Sequence, residues 1–313
     1  MIIKDNETLR KLTTSWYASN DFDRIEQHIE LETEELAKIV GDEIIDQAQL
    51  IADSVSPSES DLKLLKKVQL PIGLLATFRY FQLNIVSHDQ STRKIKIDDQ
   101  NEKLPWEWML DRDDAAHLSS AQRAIDQLIS YLDKTENSLW KDSAQKKASK
   151  RLFVNNTEVF GNYYPIDNSA RFYYLALPLL QEIQSLELRP ALGEDYKVLL
   201  EGYQAGDLNE YQQELLELTQ RAQVYATIAL AVRRLNTQVL PIGLVKKLES
   251  ESQTVNASRP ATREEISYFS KRMEQDAFDF IDKIKRKRFE QTPEYLEYKL
   301  LPNNDPKNKF AST

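Results

Sequence analysis

The chain has no cysteine and only seven glycines in 313 residues. The first absence excludes disulfides, thiolate catalysis and cysteine-based zinc sites, and it fits assembly in a reducing compartment. The second argues against a fold full of tight turns and against phosphate-cradling loops, which lean on glycine at positive φ. Histidine is nearly as scarce. His28, His88 and His117 stand far apart, none with a second histidine three or four residues on, so no HExxH-like metal spacing exists. No stretch approaches the roughly 18 consecutive apolar residues of a membrane span. The opening MIIKDNETLRKL has no basic leader before a long apolar run, so no signal peptide is expected. The composition that is present, 41% hydrophobic and 29% charged, is that of a soluble globular protein long enough for two domains.

Charge is unevenly placed. Residues 1–150 carry 20 basic and 27 acidic side chains, and residues 151–313 carry 21 and 23. Much of the excess lies in 21–46, where ten carboxylates from Asp21 to Asp46 face only Arg24 and Lys38. This reads as a solvated helix face, and one that repels nucleic acid at short range.

The chain reads as if it starts twice. FVNNTEVF at 153–160 follows the pattern of IIKDNETL at 2–9: apolar residues, a polar run, then a bulky apolar residue. Shifted by 151–152 residues, KIVGDEI (38–44) meets PALGEDY (190–196) with Gly41 opposite Gly193, and LLKKVQLPIGLLATF (64–78) meets LLELTQRAQVYATIA (215–229). The run from Asp111 to Lys134 likewise meets Thr262 to Arg286. A second LPIGL at 240–244 repeats 70–74 at an offset of 170 and is a coincidence, since it throws the other segments out of step.

Periodicity makes each half helical. Leu118, Ala121, Ile125, Leu128 and Leu132 form one apolar stripe, and Phe269, Met273, Ala277, Phe280 and Ile284 form its counterpart. Thr262-Arg-Glu-Glu265 has capping-box spacing, and Asp111–Asp114 places carboxylates at the start of the earlier helix. Further helices are expected around 23–39, 61–86, 173–188 and 208–236, with a kink or break before Pro71 and a little β structure at 93–98. The fold class is therefore mainly α: two tandem related helical modules with a minor β element and an extended C-terminal tail. The expected bounds are 1–134, a polar joining segment 135–151, a second module 152–290, and a C-terminal segment and tail 291–313.

No catalytic, cofactor-binding or metal-binding residues are expected. The neighbouring acids Asp113-Asp114 and Glu264-Glu265 are explained by the first turns of helices, and GYQAG (202–206) by a helix-terminating turn. Trp106 and Trp108, after Pro105, read as a loop anchored on the core by aromatic burial, with an aromatic binding surface as the other reading. The densest basic cluster comprises Lys283, Lys285, Arg286, Lys287 and Arg288. It suits contact with DNA phosphates or an acidic partner, and equally suits cations at the negative end of a helix dipole. The tail from Leu301 to Thr313 offers only Leu301 and Phe310 to any core, so it is expected to order only against another subunit.

Phe153-Val-Asn155, Ser169-Ala-Arg171, Leu177-Pro178 and Pro190-Ala-Leu-Gly-Glu194, continued by QRAQVYATIALAVRRL (220–235), resemble a family of proteins from phages and prophages of Bacteroidetes. The first half matches more loosely, keeping Gly41 without the Ser-x-Arg. The organisation also resembles phage head–tail connector (neck adaptor) proteins. That resemblance implies a structural virion protein with no enzymatic role, placed at the neck and in the host cytoplasm during assembly. It implies portal and tail or neck proteins as partners, a homo-oligomeric ring of twelve copies, non-specific contact with passing DNA, and no membrane. The alternative is a monomeric helical protein that binds nucleic acid or a regulatory partner through the basic helix end.

Overall fold

A computed structural model of the chain describes residues 1–85, 106–235 and 262–295, and the backbone of 87–88 and 93–94. These residues are almost entirely helical and divide into two compact units. The first holds Met1–Lys147 together with Ser169–Tyr174, and the second holds Ala148–Asn168 and the chain from Leu175 onward.

In the first unit, buried Ile2 and Ile3 lead into α1 (Asn6–Leu12), whose N-cap Asp5 accepts from the backbone N–H of Thr8. The helix α2 (Asp23–Val40) buries Ile25, Ile29, Leu36 and Val40 and leaves Glu26, Glu30, Glu34 and Glu35 in solvent. Gly41, at φ +92°, turns the chain directly into α3 (Asp42–Asp53). A capping box of Ser58 and Asp61 starts α4 (Glu59–Leu83). This helix runs unbroken through Pro71, so of the kink or break expected there the break does not occur. Proline deletes one backbone hydrogen bond, but Val68, Pro71 and Ile72 are buried where α4 packs on its neighbours α1, α2, α3 and α5 (Glu107–Lys134). Tertiary burial therefore carries the helix past the local cost.

The helix α5 starts a turn earlier than Asp111, because Trp106 is the extended residue before it and the following Glu-Trp-Met-Leu are adequate helix formers. Asp111–Asp114 thus lie within the helix and not in its first turn. Of the β element expected at 93–98, the structure describes an antiparallel pair, β1 (Ser87–His88) with β2 (Arg93–Lys94). Residues 95–98 lie outside the described residues, as does the tail. The joining segment is itself helical, with α6 (Ser138–Asp142) and α7 (Ala144–Ser149). Trp140 is fully buried: its Nε1 donates to Asp133 Oδ1 at 2.7 Å and its ring meets Tyr174 edge-on at 5.1 Å.

The second unit begins the same way. Buried Phe153 and Val154 lead into α8 (Thr157–Tyr163), whose N-cap Asn156 accepts from the Val159 N–H. After α9 (Ala170–Leu175), α10 (Leu177–Ile183) passes through a π-helical turn (Gln184–Leu188) into α11 (Arg189–Leu192). Gly193, at φ +52°, separates this helix from α12 (Asp195–Ala205), which Gly206 closes in the left-handed conformation. Capping boxes then start α13 (Glu210–Arg234) at Asn209/Gln212 and α14 (Arg263–Phe289) at Thr262/Glu265. The helix α13 packs against α8, α10, α12 and α14, as α4 packs against its own neighbours.

The two units therefore repeat one order of elements: a capped short helix, a helix ending at a positive-φ glycine, another helix, a capped 25-residue helix and a last long helix. The repeat extends to a single hydrogen bond. Gln69 Nε2 donates to the Ile2 carbonyl and Gln220 Nε2 to the Phe153 carbonyl, each at 2.9 Å, with both partners displaced by 151 positions. FVNNTEVF and the chain's own opening are the same structural beginning.

One irregularity has a local cause. Buried Ile25 and Ile29 correspond to Ala176 and Leu180 at an offset of 151, whereas Leu36, Val40 and Gly41 correspond to Leu188, Leu192 and Gly193 at 152. The step falls in the π-helical turn. A wider turn of this kind absorbs one extra residue without losing the buried face.

Candidate functional site

The basic helix end divides into inward and outward members. Arg288 turns in: its Nε donates to Asp195 Oδ2 at 2.7 Å and its Nη1 to the Ala191 carbonyl at 2.9 Å. Its guanidinium lies over Gly193, where an added Cβ would stand 2.8 Å from Nη2. Glycine at 193 is thus required by its positive φ, and a side chain there would also displace the Arg288 guanidinium. Lys287, half-buried, pairs with Glu214. Lys283 is exposed, with its ammonium 4.8 Å from the Phe280 ring centroid; Lys285 and Arg286 are also exposed, the former 3.7 Å from Asp282. Arg288 therefore closes the junction between α11 and α12. Arg288→Ala is expected to lower stability by ~1–2 kcal/mol, because a partly buried charged hydrogen bond is lost. Arg286→Ala should stay within ~0.5 kcal/mol, and urea unfolding of the two variants separates the roles.

A glutamine network clamps the restart segment. Gln223, fully buried, accepts from the Val154 N–H at 3.0 Å and donates to the Leu180 carbonyl at 3.0 Å and to Gln184 Oε1 at 3.1 Å. Gln184 in turn accepts from the Phe153 N–H and donates to the Arg151 carbonyl and Tyr196 hydroxyl. These side chains supply an extended segment with the partners that a neighbouring strand would otherwise give. Nothing here is arranged for chemistry.

The Ser-x-Arg motif belongs with the first unit. Asp126 on α5 accepts from the Arg171 N–H at 2.7 Å and from the Ser169 hydroxyl at 3.3 Å. Burial pushes the Asp126 carboxyl above its ordinary pKa, opposed by the Arg171 contacts, and burial lowers that of Arg171. Sequence reasoning left this pairing out because Asp126 and Ser169 sit in different halves of the chain.

Among the described residues, no group of three or more His, Cys, Asp or Glu is placed to hold a metal ion. His28 is half-buried against the Tyr80 ring, and burial lowers its pKa. Asp114 accepts from Gln82 Nε2 at 3.2 Å, and Glu265 completes its capping box. Trp106 and Trp108 are not core anchors: they are 71% and 58% exposed. Leu301 and Phe310 lie outside the described residues. No helix among the described residues is long and apolar enough to cross a membrane.

The surface feature that sequence reasoning missed is an apolar groove of about 220 Å³ in the second unit. Ile183, Ala226, Ala229 and Leu230 form its floor, and Leu186 and Phe278, 64% and 49% exposed, form its walls. Arg234 makes a bidentate pair with Glu182 at 2.6 and 3.0 Å, and Arg233 reaches Glu274 at 3.2 Å. The repeat explains why the groove is there. At the positions of Ala226 and Ala229 the first module carries the larger Leu75 and Phe78. Two small residues and the π-helical turn open the groove, and neither announces itself in a hydrophobic stripe.

A sequence model described as a family of unknown function (DUF6712) matches residues 36–150 and 178–308, one stretch in each half of the chain. No curated protein and no solved structure matches.

Proposed function

The chain belongs to the DUF6712 family of unknown function, and we propose that it is a structural assembly protein: a phage head–tail connector that forms a ring between portal and tail and works through its surfaces. It acts at the neck of the particle, assembles in the host cytoplasm and performs no catalysis. The observation that supports this reading is one helical module used twice with diverged surfaces. A ring protomer must present two unlike faces that meet head to tail, and duplication followed by divergence supplies them. The first module has an acidic α2 face. The second has an open apolar groove and a basic helix end.

The same reading accounts for a buried polar network without a reactive centre, since the glutamines hold backbone in place. Composition analysis of purified phage particles tests it. The chain should be a stoichiometric component of DNA-filled, tailed particles. Its absence from such particles, with the protein present only in the soluble lysate, would overturn the proposal.

A further inference from the structure

The two modules differ most at the end of the hairpin formed by their two long helices. In the first unit α4 and α5 run antiparallel, with Lys67 bonded to Gln127 and Gln82 to Asp114. The last residues of α4 and the first of α5 therefore share one end. That end carries Phe81, Leu83, Ile85, Trp106, Trp108 and Met109, all exposed. In the second unit the corresponding helix ends carry Arg233, Arg234, Arg263, Glu264 and Glu265. One module thus has an apolar tip, and the other has an apolar groove and charged helix ends.

We infer that the aromatic tip of the first module of one copy seats in the groove of the second module of another copy. The inference rests on the surface-assembly reading above and names the contact that reading requires. Size favours a side chain as the occupant. At about 220 Å³ the groove is smaller than the roughly 300–1,000 Å³ typical of small-molecule sites, and four of the charged side chains lining it are already paired with one another, Arg234 with Glu182 and Arg233 with Glu274.

Area fits a second copy held weakly. Two indoles that are 71% and 58% exposed offer on the order of 200–350 Å². Phe81, Leu83, Ile85 and Met109 add to this, which brings the tip to the size of the small interfaces used by weak contacts. A contiguous exposed apolar patch beyond a few hundred Å² is itself the mark of an interaction surface. Because tip and groove are different patches of one chain, the contact is heterologous. Such a contact propagates from copy to copy and ends only by closing into a ring.

Complementation between two full-length variants tests this by sedimentation equilibrium, at concentrations up to about 100 μM to capture a weak interface. One variant removes the tip (Trp106→Ala with Trp108→Ala) and the other blocks the groove (Leu186→Glu with Phe278→Glu). All four residues are exposed, so both variants should unfold at the wild-type urea midpoint. Wild type should form species larger than a dimer, each variant alone should remain monomeric, and an equal mixture should give a dimer and nothing larger. In the mixture only one intact tip and one intact groove can meet. The inference is overturned if the mixture stays monomeric or if either variant associates like wild type. Loss of association in the groove variant alone would show that the groove takes another occupant. A wild type that is monomeric throughout also overturns it, while leaving the connector reading to the particle-composition test.

Discussion

Replacing Trp140 with alanine should cost the first unit ~3–5 kcal/mol, the range for truncating a fully buried large aromatic. Trp140 is completely buried, donates its Nε1–H to Asp133, and packs edge-on against Tyr174. Truncation leaves a cavity and strips Asp133 of one of its donors, though Lys146 Nζ at 2.6 Å still pairs with it. The loss should appear as a lowered urea midpoint. Trp140→Phe should recover part of it, because the ring volume is largely kept and only the indole N–H is lost. If Trp140→Ala unfolds like wild type, the segment 135–151 is a passive joiner after all.

Gln223→Leu should also destabilise the second unit, although it exchanges a polar core residue for an apolar one. Leucine removes the acceptor from the Val154 N–H and the donor from the Leu180 carbonyl and Gln184. The Leu180 carbonyl keeps the Gln184 N–H and Gln184 Oε1 keeps the Phe153 N–H, so the loss is of buried hydrogen bonds, ~1–3 kcal/mol in all. Gln223→Glu tests the chemistry further. A carboxylate keeps the acceptor for Val154 but faces the Leu180 carbonyl with no donor, and a buried charge adds its own penalty. Both variants should unfold at lower urea, measured by circular dichroism. A Gln223→Leu protein as stable as wild type would mean that the restart segment is held by its apolar side chains alone.

Much of the fold was legible because its signals are local. The apolar stripe of Leu118–Leu132 and the capping box at Thr262 each depend on residues within a few turns of one another, and the match of Gly41 with Gly193 shows because the short segments around them repeat. The features that were misread depend on what lies across space. Pro71 forecasts a break from its own chemistry, and only the helices around α4 show why none occurs. Trp106 and Trp108 carry the composition of a core anchor, yet at the start of α5 they are mostly exposed. Asp126 and the Ser169–Arg171 motif meet although the repeat assigns them to different halves. The groove is harder still. It arises where Ala226 and Ala229 face a helix widened by one residue, and small residues leave no mark in a hydrophobic pattern.

The basic cluster illustrates the same limit from the charged side. Lys283 to Arg288 reads from sequence as one patch of five cations. In the folded chain Arg288 closes a helix junction and Lys287 pairs with Glu214, which leaves three facing solvent. The number of charges in a run is visible in sequence, but the number available to a partner is set by the helix that happens to lie beside it.

The central claim is that this protein works by assembling through unlike surfaces of a repeated module. Under the proposed connector role, its most direct test is the mass of the full chain purified alone and after mixing with the portal protein it would then serve, measured by light scattering on a sizing column. The account predicts that the mixture yields a single large species containing both proteins, with many copies of this chain on each portal ring. A chain that elutes at the mass of one subunit, apart from an unchanged portal, would contradict it.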